Sequence, residues 1–591
     1  MSAISWVTAA SRRPLRLLLC AALAAVLYLP ALGRPALWEP DEGRYAEIAR
    51  EMVLTHDYVT PRDNWVRYFE KPPLVYWAEA FSIRLLGVHE LAVRMPAALA
   101  TVAEVVVVAA LGEAMFGPNV GLAAAMVLGL SPLVFGFARF ATLDPALAFF
   151  ITAALASFRT WACRPVRESE TGSVGAIGGR WFLLASALTA AGTLTKGPVA
   201  LLLTGAVALG WLLSERRARE ILRMPWLGAV AVYLAIAAPW FVLAARRNPG
   251  FSHFFFIHEH VQRYLENAEH GWGPYFFVAV TIAGMWPWIC FVPSGVLELF
   301  RKRNETREAA SRQPASDRAS LSFLLWWFGI ILVFFSIPRA KLGSYILPGL
   351  PPLAILAGYA LCNLPRTSIS AARRIFGIIA LVDLGTTAAA FVALRIYTLP
   401  GESMLLADGL IAAASLTVTS FAGLGITWGG RKPAAAIGAL ALGVLIALGM
   451  MMKTRADAQP LGSYRDLARA INPYLESGCE LASYRHFVQA LPFYTGHREA
   501  LVDYRGELAP FGREPDARAS FIATDGELVK LWHGPGCVVL IVNRADLAHI
   551  RAILGSNSAV IECEGKKMAL YSREKALQSP AHACEVAVSS R

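Results

Sequence analysis

Of the 591 residues, 56% are hydrophobic and 17% charged, and the mean hydropathy is +0.47, a balance that excludes an ordinary soluble domain and places the chain in a membrane. The net charge of +12, from 55 Lys and Arg against 43 Asp and Glu, lies largely in short loops between apolar runs, so it reads as a topology signal and not as a DNA-reading surface. Eight cysteines without a CxxC pair exclude a zinc ribbon and a dense disulfide scaffold.

Crossing roughly 30 Å of hydrocarbon takes about 20 apolar residues. Taken in chain order, the apolar runs predict thirteen spans: 14–34, 91–116, 119–138, 143–162, 181–195, 197–214, 225–245, 276–300, 320–337, 345–363, 374–396, 404–428 and 433–452. Residues 1–34 also have the pattern of a signal peptide, with Arg12, Arg13 and Arg16 ahead of an apolar core; an uncleaved first span suits a polytopic chain better. With the N-terminus cytoplasmic, loops on that side hold Arg164, Arg167, Arg180, Arg216, Arg217, Arg219, Arg223, the basic run 301–318, Arg366, Arg373, Arg374, Arg431 and Lys432. The opposite loops are poorer in Lys and Arg, as the positive-inside rule requires. An odd number of spans then puts the loop 35–90 and the polar tail outside the cytoplasm.

This divides the chain into a transmembrane domain, 1–452 with its external loop 35–90, and a soluble domain, 453–591. In the tail, Tyr464 to Leu475 reads as a helix and Ser520–Thr524, Cys537–Asn543 and Ala559–Cys563 as strands, giving a small α/β domain. Cys479, Cys537, Cys563 and Cys584 fall there; an oxidising compartment allows a bridge, and spacing does not choose the pairing.

Polar residues at a membrane edge are costly unless partnered or functional, and here they gather on the external side. Asp41, after Pro40, opens a helix whose spacing puts Arg44, Tyr45 and Ile48 on its face. Glu70 and Lys71 stand on a corner fixed by Pro72 and Pro73, ahead of a helix with Leu74, Trp77, Ala78, Phe81 and Leu85 on one side, suited to lie in the interface. Asp144 opens a span with Arg139 nearby, Lys196 sits in a tight Thr-Lys-Gly-Pro break, and the segment around His253, His258, His260 and Arg263 is aromatic. Lys341 and Tyr345 share a face at the mouth of a span. Each also has a structural reading: Asp41 and Asp144 as helix caps, Glu70–Lys71 as a surface pair, Lys196 as a snorkelling cation, the histidines as packing groups, Lys341–Tyr345 as interfacial anchors. Together they form acids beside bases near one membrane face, a set suited to moving a group off a phosphate. The chain has no Walker loop and no GxGxxG after a strand, so the activated substrate is expected to arrive through the bilayer without a nucleotide.

The stretches E-P-D-E-G-R-Y-A-E-I-A-R-E-M, F-E-K-P-P-L-V-Y-W, T-L-D-P, T-K-G-P and K-L-G-S-Y-I-L-P-G-L-P-P-L, in this order over about residues 35–360, resemble the aminoarabinose transferases of lipid A, within the protein-O-mannosyltransferase-like GT-C glycosyltransferases. The resemblance implies a polytopic α-helical GT-C fold with a periplasmic α/β tail, in the bacterial inner membrane. It implies an inverting transferase that moves 4-amino-4-deoxy-L-arabinose from undecaprenyl phosphate to a lipid A phosphate, giving polymyxin resistance. By the same resemblance Asp41 and Asp144 are the family's two acids, Lys71, Arg263 and Tyr345 hold the donor phosphate with Arg44 and Lys341, and Glu70 with His258 is a candidate zinc site. Asp41-Glu42 stands where some members have two aspartates, which leaves Asp41 as the site acid. Lipids are the expected partners, with no nucleic acid or nucleotide. Two alternatives stay open: a related transferase glycosylating exported proteins or another glycan, and a lipid-linked sugar flippase, which would show midplane charges and inverted repeats.

Overall fold

The computed structural model describes residues 12–163, 176–262, 272–308, 315–364, 369–396, 400–429, 433–504, 506–512, 515–555 and 558–573. They form two compact units: one of Met1–Pro30 with Pro96–Thr454, the other of Ala31–Met95 with Arg455–Arg591. The external loop therefore groups with the tail, not with the helices that flank it.

The first unit is helical. Among the described residues eight helices are long and apolar enough to cross a membrane, or up to ten if each of two bent pairs is one span. The expected span 119–138 is such a pair, Pro118–Gly129 and Pro132–Ala138, bent by 66°; 276–300 is the other, bent by 99°. Pro132 and Pro287 stand at the breaks, where the ring removes a donor and disfavours helix in the preceding residue. Three expected spans fall on helices outside that criterion: Arg13–Tyr28, Ala176–Lys196 and Val199–Ser214. Among the described residues length and apolarity thus support eight to ten of the thirteen expected spans, and these three shorter or less apolar helices stand at the other expected positions. Small residues let helices touch: a Cβ on Gly358 would stand 2.7 Å from the Ala124 backbone nitrogen, so Leu350–Asn363 packs backbone to backbone on Pro118–Gly129.

The second unit joins the loop to an α/β domain. Strands β1 (Arg62–Asp63) and β2 (Val66–Arg67) form a hairpin. A six-stranded sheet is built from β3 (Glu480–Tyr484), β4 (Glu499–Val502), β5 (Phe521–Ile522), β6 (Val538–Asn543), β7 (Ala559–Glu564) and β8 (Lys567–Tyr571), in the order β5-β4-β3-β6-β8-β7. The first four pair in parallel and β8 runs antiparallel to β6 and β7. Along β6, Val539 and Ile541 pack with Leu467 and Ile471, while Leu540 and Val542 pack with Trp532 and Ile550. Both faces are covered, so the strand reads as an unbroken apolar run. The expected helix and three strands are present; β3, β4 and β8 had no expectation. Cys479 and Cys537 form a disulfide at the start of β3 and β6.

Under this sheet lie ionisable groups at a cost. Glu499, on β4, is fully buried, accepts a hydrogen bond from Ser483, and burial lifts its pKa to about 8. Burial does the same to Glu39, against hydrogen bonds from the Gln489 and Ala490 amides, and lowers Lys567 to about 8. A carboxyl raised in the fold binds more protons than in the unfolded chain, so its contribution to stability falls as pH rises from the ordinary carboxylate range to about 8. Lys567 acts above that window: the cost of its buried charge is relieved only as pH rises past 8. The unit is therefore expected to melt higher at pH 5.5 than at pH 8, by roughly 5–10 °C. Glu499→Gln should flatten that slope; an unchanged slope in a melting series would show that Glu499 does not titrate there.

Candidate active site

In the helical unit two helix ends meet. Asp144 starts Asp144–Ala162 with Pro145 behind it, and Lys196 ends Ala176–Lys196. An acid at a helix N-terminus and a base at a C-terminus each suit the local dipole, and Lys196 Nζ donates to Asp144 Oδ1. The same ammonium lies 4.0 Å from the centroid of the Tyr345 ring. Asp144 is 6% exposed, so this pair is largely withdrawn from water. Lys196 is thereby partly buried and held by partners inside the helical unit. Lys341, also buried, donates to the carbonyls of Trp272 (3.1 Å) and Pro338. Arg139 donates to the carbonyls of Tyr28 and Pro30, at 2.5 and 2.7 Å, and so ties the end of the first helix. Arg263 lies outside the described residues.

In the second unit Asp41 heads the helix Asp41–Thr55, with Arg44 one turn on at 3.3 Å, as their spacing predicts. The shorter contact of Arg44 is with Glu507 of the tail, Nη2 to Oε2 at 2.9 Å, and its guanidinium lies 5.8 Å from the Tyr68 ring centroid. Gln489 donates to Glu507. Burial raises the pKa of Glu507 and the Arg44 charge opposes the rise. Gly43 is fixed by the same approach: a Cβ there would stand 2.6 Å from the Ala490 amide nitrogen. Lys71 Nζ donates to the Glu70 carbonyl at 3.1 Å, with the Glu70 carboxylate 3.8 Å away. Nothing in the sequence pattern of the tail marked Glu507, because a loop residue has no periodicity to betray a partner over 400 positions distant.

Glu42 takes a different part from Asp41. It is fully buried and accepts hydrogen bonds from Arg94, Arg455 and the Trp38 amide. It holds the loop together, and this explains a glutamate beside Asp41 without giving it chemistry.

Comparison with known proteins gives the chain its relatives. Residues 14–255 match the family model described as dolichyl-phosphate-mannose-protein mannosyltransferase, and 467–569 match the aminoarabinose transferase C-terminal domain. The crystal structure of ArnT from Cupriavidus metallidurans bound to undecaprenyl phosphate superposes with a TM-score of 0.80 at 26% identity, covering 97% of this chain and 98% of that one. The chain belongs to the aminoarabinose transferase family. Among relatives, the undecaprenyl phosphate-alpha-4-amino-4-deoxy-L-arabinose arabinosyl transferases of Edwardsiella ictaluri and Pseudomonas aeruginosa LESB58 are each 33% identical, over 65% and 62% of this chain. The matched stretch spans 66% and 63% of those relatives' own lengths. As a member of this family the chain is a multi-pass bacterial membrane protein of GT-C type.

The zinc that the family resemblance implied at Glu70 and His258 does not fit the residues described. His258 stacks on Phe254 at 5.1 Å and lies 3.5 Å from the Glu259 carboxylate, and Glu70 faces Lys71. Among the described residues no group of three or more His, Cys, Asp or Glu could hold a metal ion.

The role of Glu507 is testable through its partner. Glu507→Gln should keep one acceptor for Arg44 but remove its charge, lowering kcat about tenfold with little change in the melting temperature. Full kcat in steady-state assays would show that Arg44 is held well enough by Asp41 and Tyr68.

Proposed function

We propose that the protein is an inverting glycosyltransferase that moves 4-amino-4-deoxy-L-arabinose from undecaprenyl phosphate to a phosphate of lipid A, at the periplasmic face of the inner membrane. The observation that carries this reading is the match, over 97% of the chain, to a solved ArnT bound to undecaprenyl phosphate. The arginine and lysine bias of the expected cytoplasmic loops and the Cys479–Cys537 disulfide in the tail support the orientation.

In the mechanism, the acceptor oxygen forms a bond to the anomeric carbon from the side opposite the lipid phosphate, and the bond from that carbon to the phosphate oxygen breaks. The leaving phosphate gains negative charge, which Lys71, Arg263 and Lys341 offset. Lys196 is held by Asp144 and turned over the Tyr345 ring, so these three act as one fixed unit that presents a cation beside the donor. A lipid A phosphate is already anionic and needs orientation more than deprotonation. Asp41 supplies that by positioning the acceptor or the amino group of the sugar, with Arg44 and Glu507 setting its place.

A second reading, transfer to a hydroxyl of an exported protein or another glycan, draws support from the mannosyltransferase family model over residues 14–255. Asp41 would then serve as a general base. Mass spectrometry of lipid A from cells with and without the gene decides between them. A gain of one aminopentose supports the first reading, and unaltered lipid A sinks it.

A further inference from the structure

The second unit contains a cavity of about 520 Å³ that the reaction above does not use. It is lined by Arg50, His89, Arg465, Arg469, Asn472 and Thr495, contributed by the first-loop helix, the corner before Glu90, and the tail. Cations outnumber acids in this lining: three arginines face one carboxylate, Glu90, which is already held by Arg465 at 2.9 Å and by the Tyr494 hydroxyl at 3.2 Å. Arg50 and Arg465 are set in place, and Arg469 stands at the exposed rim. Arg50 gives two of its N–H groups to Glu47 at 2.6 Å each, Arg465 spends its terminal nitrogens on Glu90, Gln459 and the Arg34 carbonyl, and Arg469 gives one bond to Asp466. Each guanidinium has five N–H donors, so donors are left over after these bonds.

The cavity opens next to an apolar lip. Leu54 and Val88 line it and are 54% and 52% exposed, and the neighbouring helix Leu74–Leu86 presents Phe81 and Leu85, at 64% and 67%. Exposed large apolar side chains on one helix face, beside a polar cleft, suit a helix lying in the lipid headgroup region. A ligand entering here meets apolar surface first and cations behind it.

We infer that this cavity binds the phosphorylated saccharide headgroup of a membrane lipid, with the lipid chains running along Phe81 and Leu85. Size favours a saccharide over a bare oxyanion, since 520 Å³ falls in the range of small-molecule sites. So does composition: Asn472, Thr495 and His89 stand among the arginines and can exchange hydrogen bonds with hydroxyls. Assigning that lipid as the acceptor rests on the function proposed above; the binding itself does not.

The test uses the full-length protein in nanodiscs, with deacylated diphosphoryl glucosamine disaccharide as probe. Asn472→Trp fills the cavity and Arg469→Gln removes a charge at its exposed rim; neither belongs to the reacting constellation. The disaccharide is expected to bind the unaltered protein and to bind each variant about tenfold more weakly. In transfer assays the acceptor KM should rise by a similar factor, with kcat and the donor KM unchanged. Equal binding by all three proteins overturns the inference. Competition by inorganic phosphate as strong as by the disaccharide reduces the site to an oxyanion pocket. Equal competition by phosphatidylglycerol reduces it to a general acidic-lipid site, and both results overturn the saccharide assignment. If disaccharide binding depends on the cavity while no sugar reaches lipid A, the inference stands and the proposed function falls.

Discussion

Asp41→Asn is expected to reduce sugar transfer by about 10²–10⁴-fold, the range for losing a positioned acid–base or orienting group. The fold should survive it. Asp41 is 39% exposed in its side chain and its ion pair with Arg44 is 3.3 Å long, so the exchange is worth at most about 1 kcal/mol of stability. That separation makes Asp41 more diagnostic than Asp144. Removing the Asp144 charge leaves the Lys196 ammonium without its partner in a largely buried place, and any loss of activity would be mixed with a loss of structure. The measurement is transfer from a labelled lipid-linked donor, alongside a melting curve. A variant that keeps a tenth or more of the rate would leave Asp41 as only the first-turn acid of its helix, paired with Arg44.

The largest expected effect on folding belongs to Arg94. It is fully buried and donates to both oxygens of Glu42, at 2.7 and 2.8 Å, and to the carbonyls of Leu32, Pro35 and Ala36 at 3.0, 2.6 and 2.7 Å. Arg94→Met takes from the buried Glu42 carboxylate one of its two arginine partners and leaves three carbonyls without this donor. Breaking a buried pair costs about 3–5 kcal/mol and each stranded carbonyl adds about 1 kcal/mol or more, enough to unfold the loop 35–90 at ordinary temperature. The double variant Arg94→Met, Glu42→Met should be less damaged than the sum of the singles, because it removes the charge together with its partner. Limited proteolysis of the loop reads this directly. Resistance equal to that of the unaltered protein would show that Arg455 suffices.

The path from sequence to fold was uneven for physical reasons. Apolar runs located the helices from residue 90 onward well, because hydrocarbon tolerates little else. Where an apolar run contained Pro132 or Pro287, hydropathy alone could not tell a bent pair from a straight span, since a break of two or three residues barely changes an average. In the tail, β6 was legible as a continuous apolar strand, while β3 and β4 carry Ser483 and Glu499 inward and lose their apolar signature. The pair Asp41–Arg44 was legible at helical spacing. The pairs Asp144–Lys196 and Arg44–Glu507 were not, because the partners lie 52 and over 400 positions apart and only the fold brings them together. Glu70 and Lys71 were placed correctly on their corner, and the metal suggested for Glu70 finds no ligand set among the described residues.

The long reach between the first loop and the tail has a consequence for biogenesis. The side-chain amide of Asn64 donates to the Glu499 carbonyl and accepts from the Glu499 N–H across 435 positions, and Glu39 caps a tail helix across 451. At a ribosomal speed of about 5–20 residues per second, the loop emerges roughly 20–90 s before the strand that completes it. During that interval its acidic side chains stay hydrated and its helix lacks the tail contacts, so the nascent loop is a substrate for chaperones and proteases until the strand with Glu499 has been made. A chain stalled before Glu499 is expected to leave the loop open to proteolysis, because its tail partners have not yet been made.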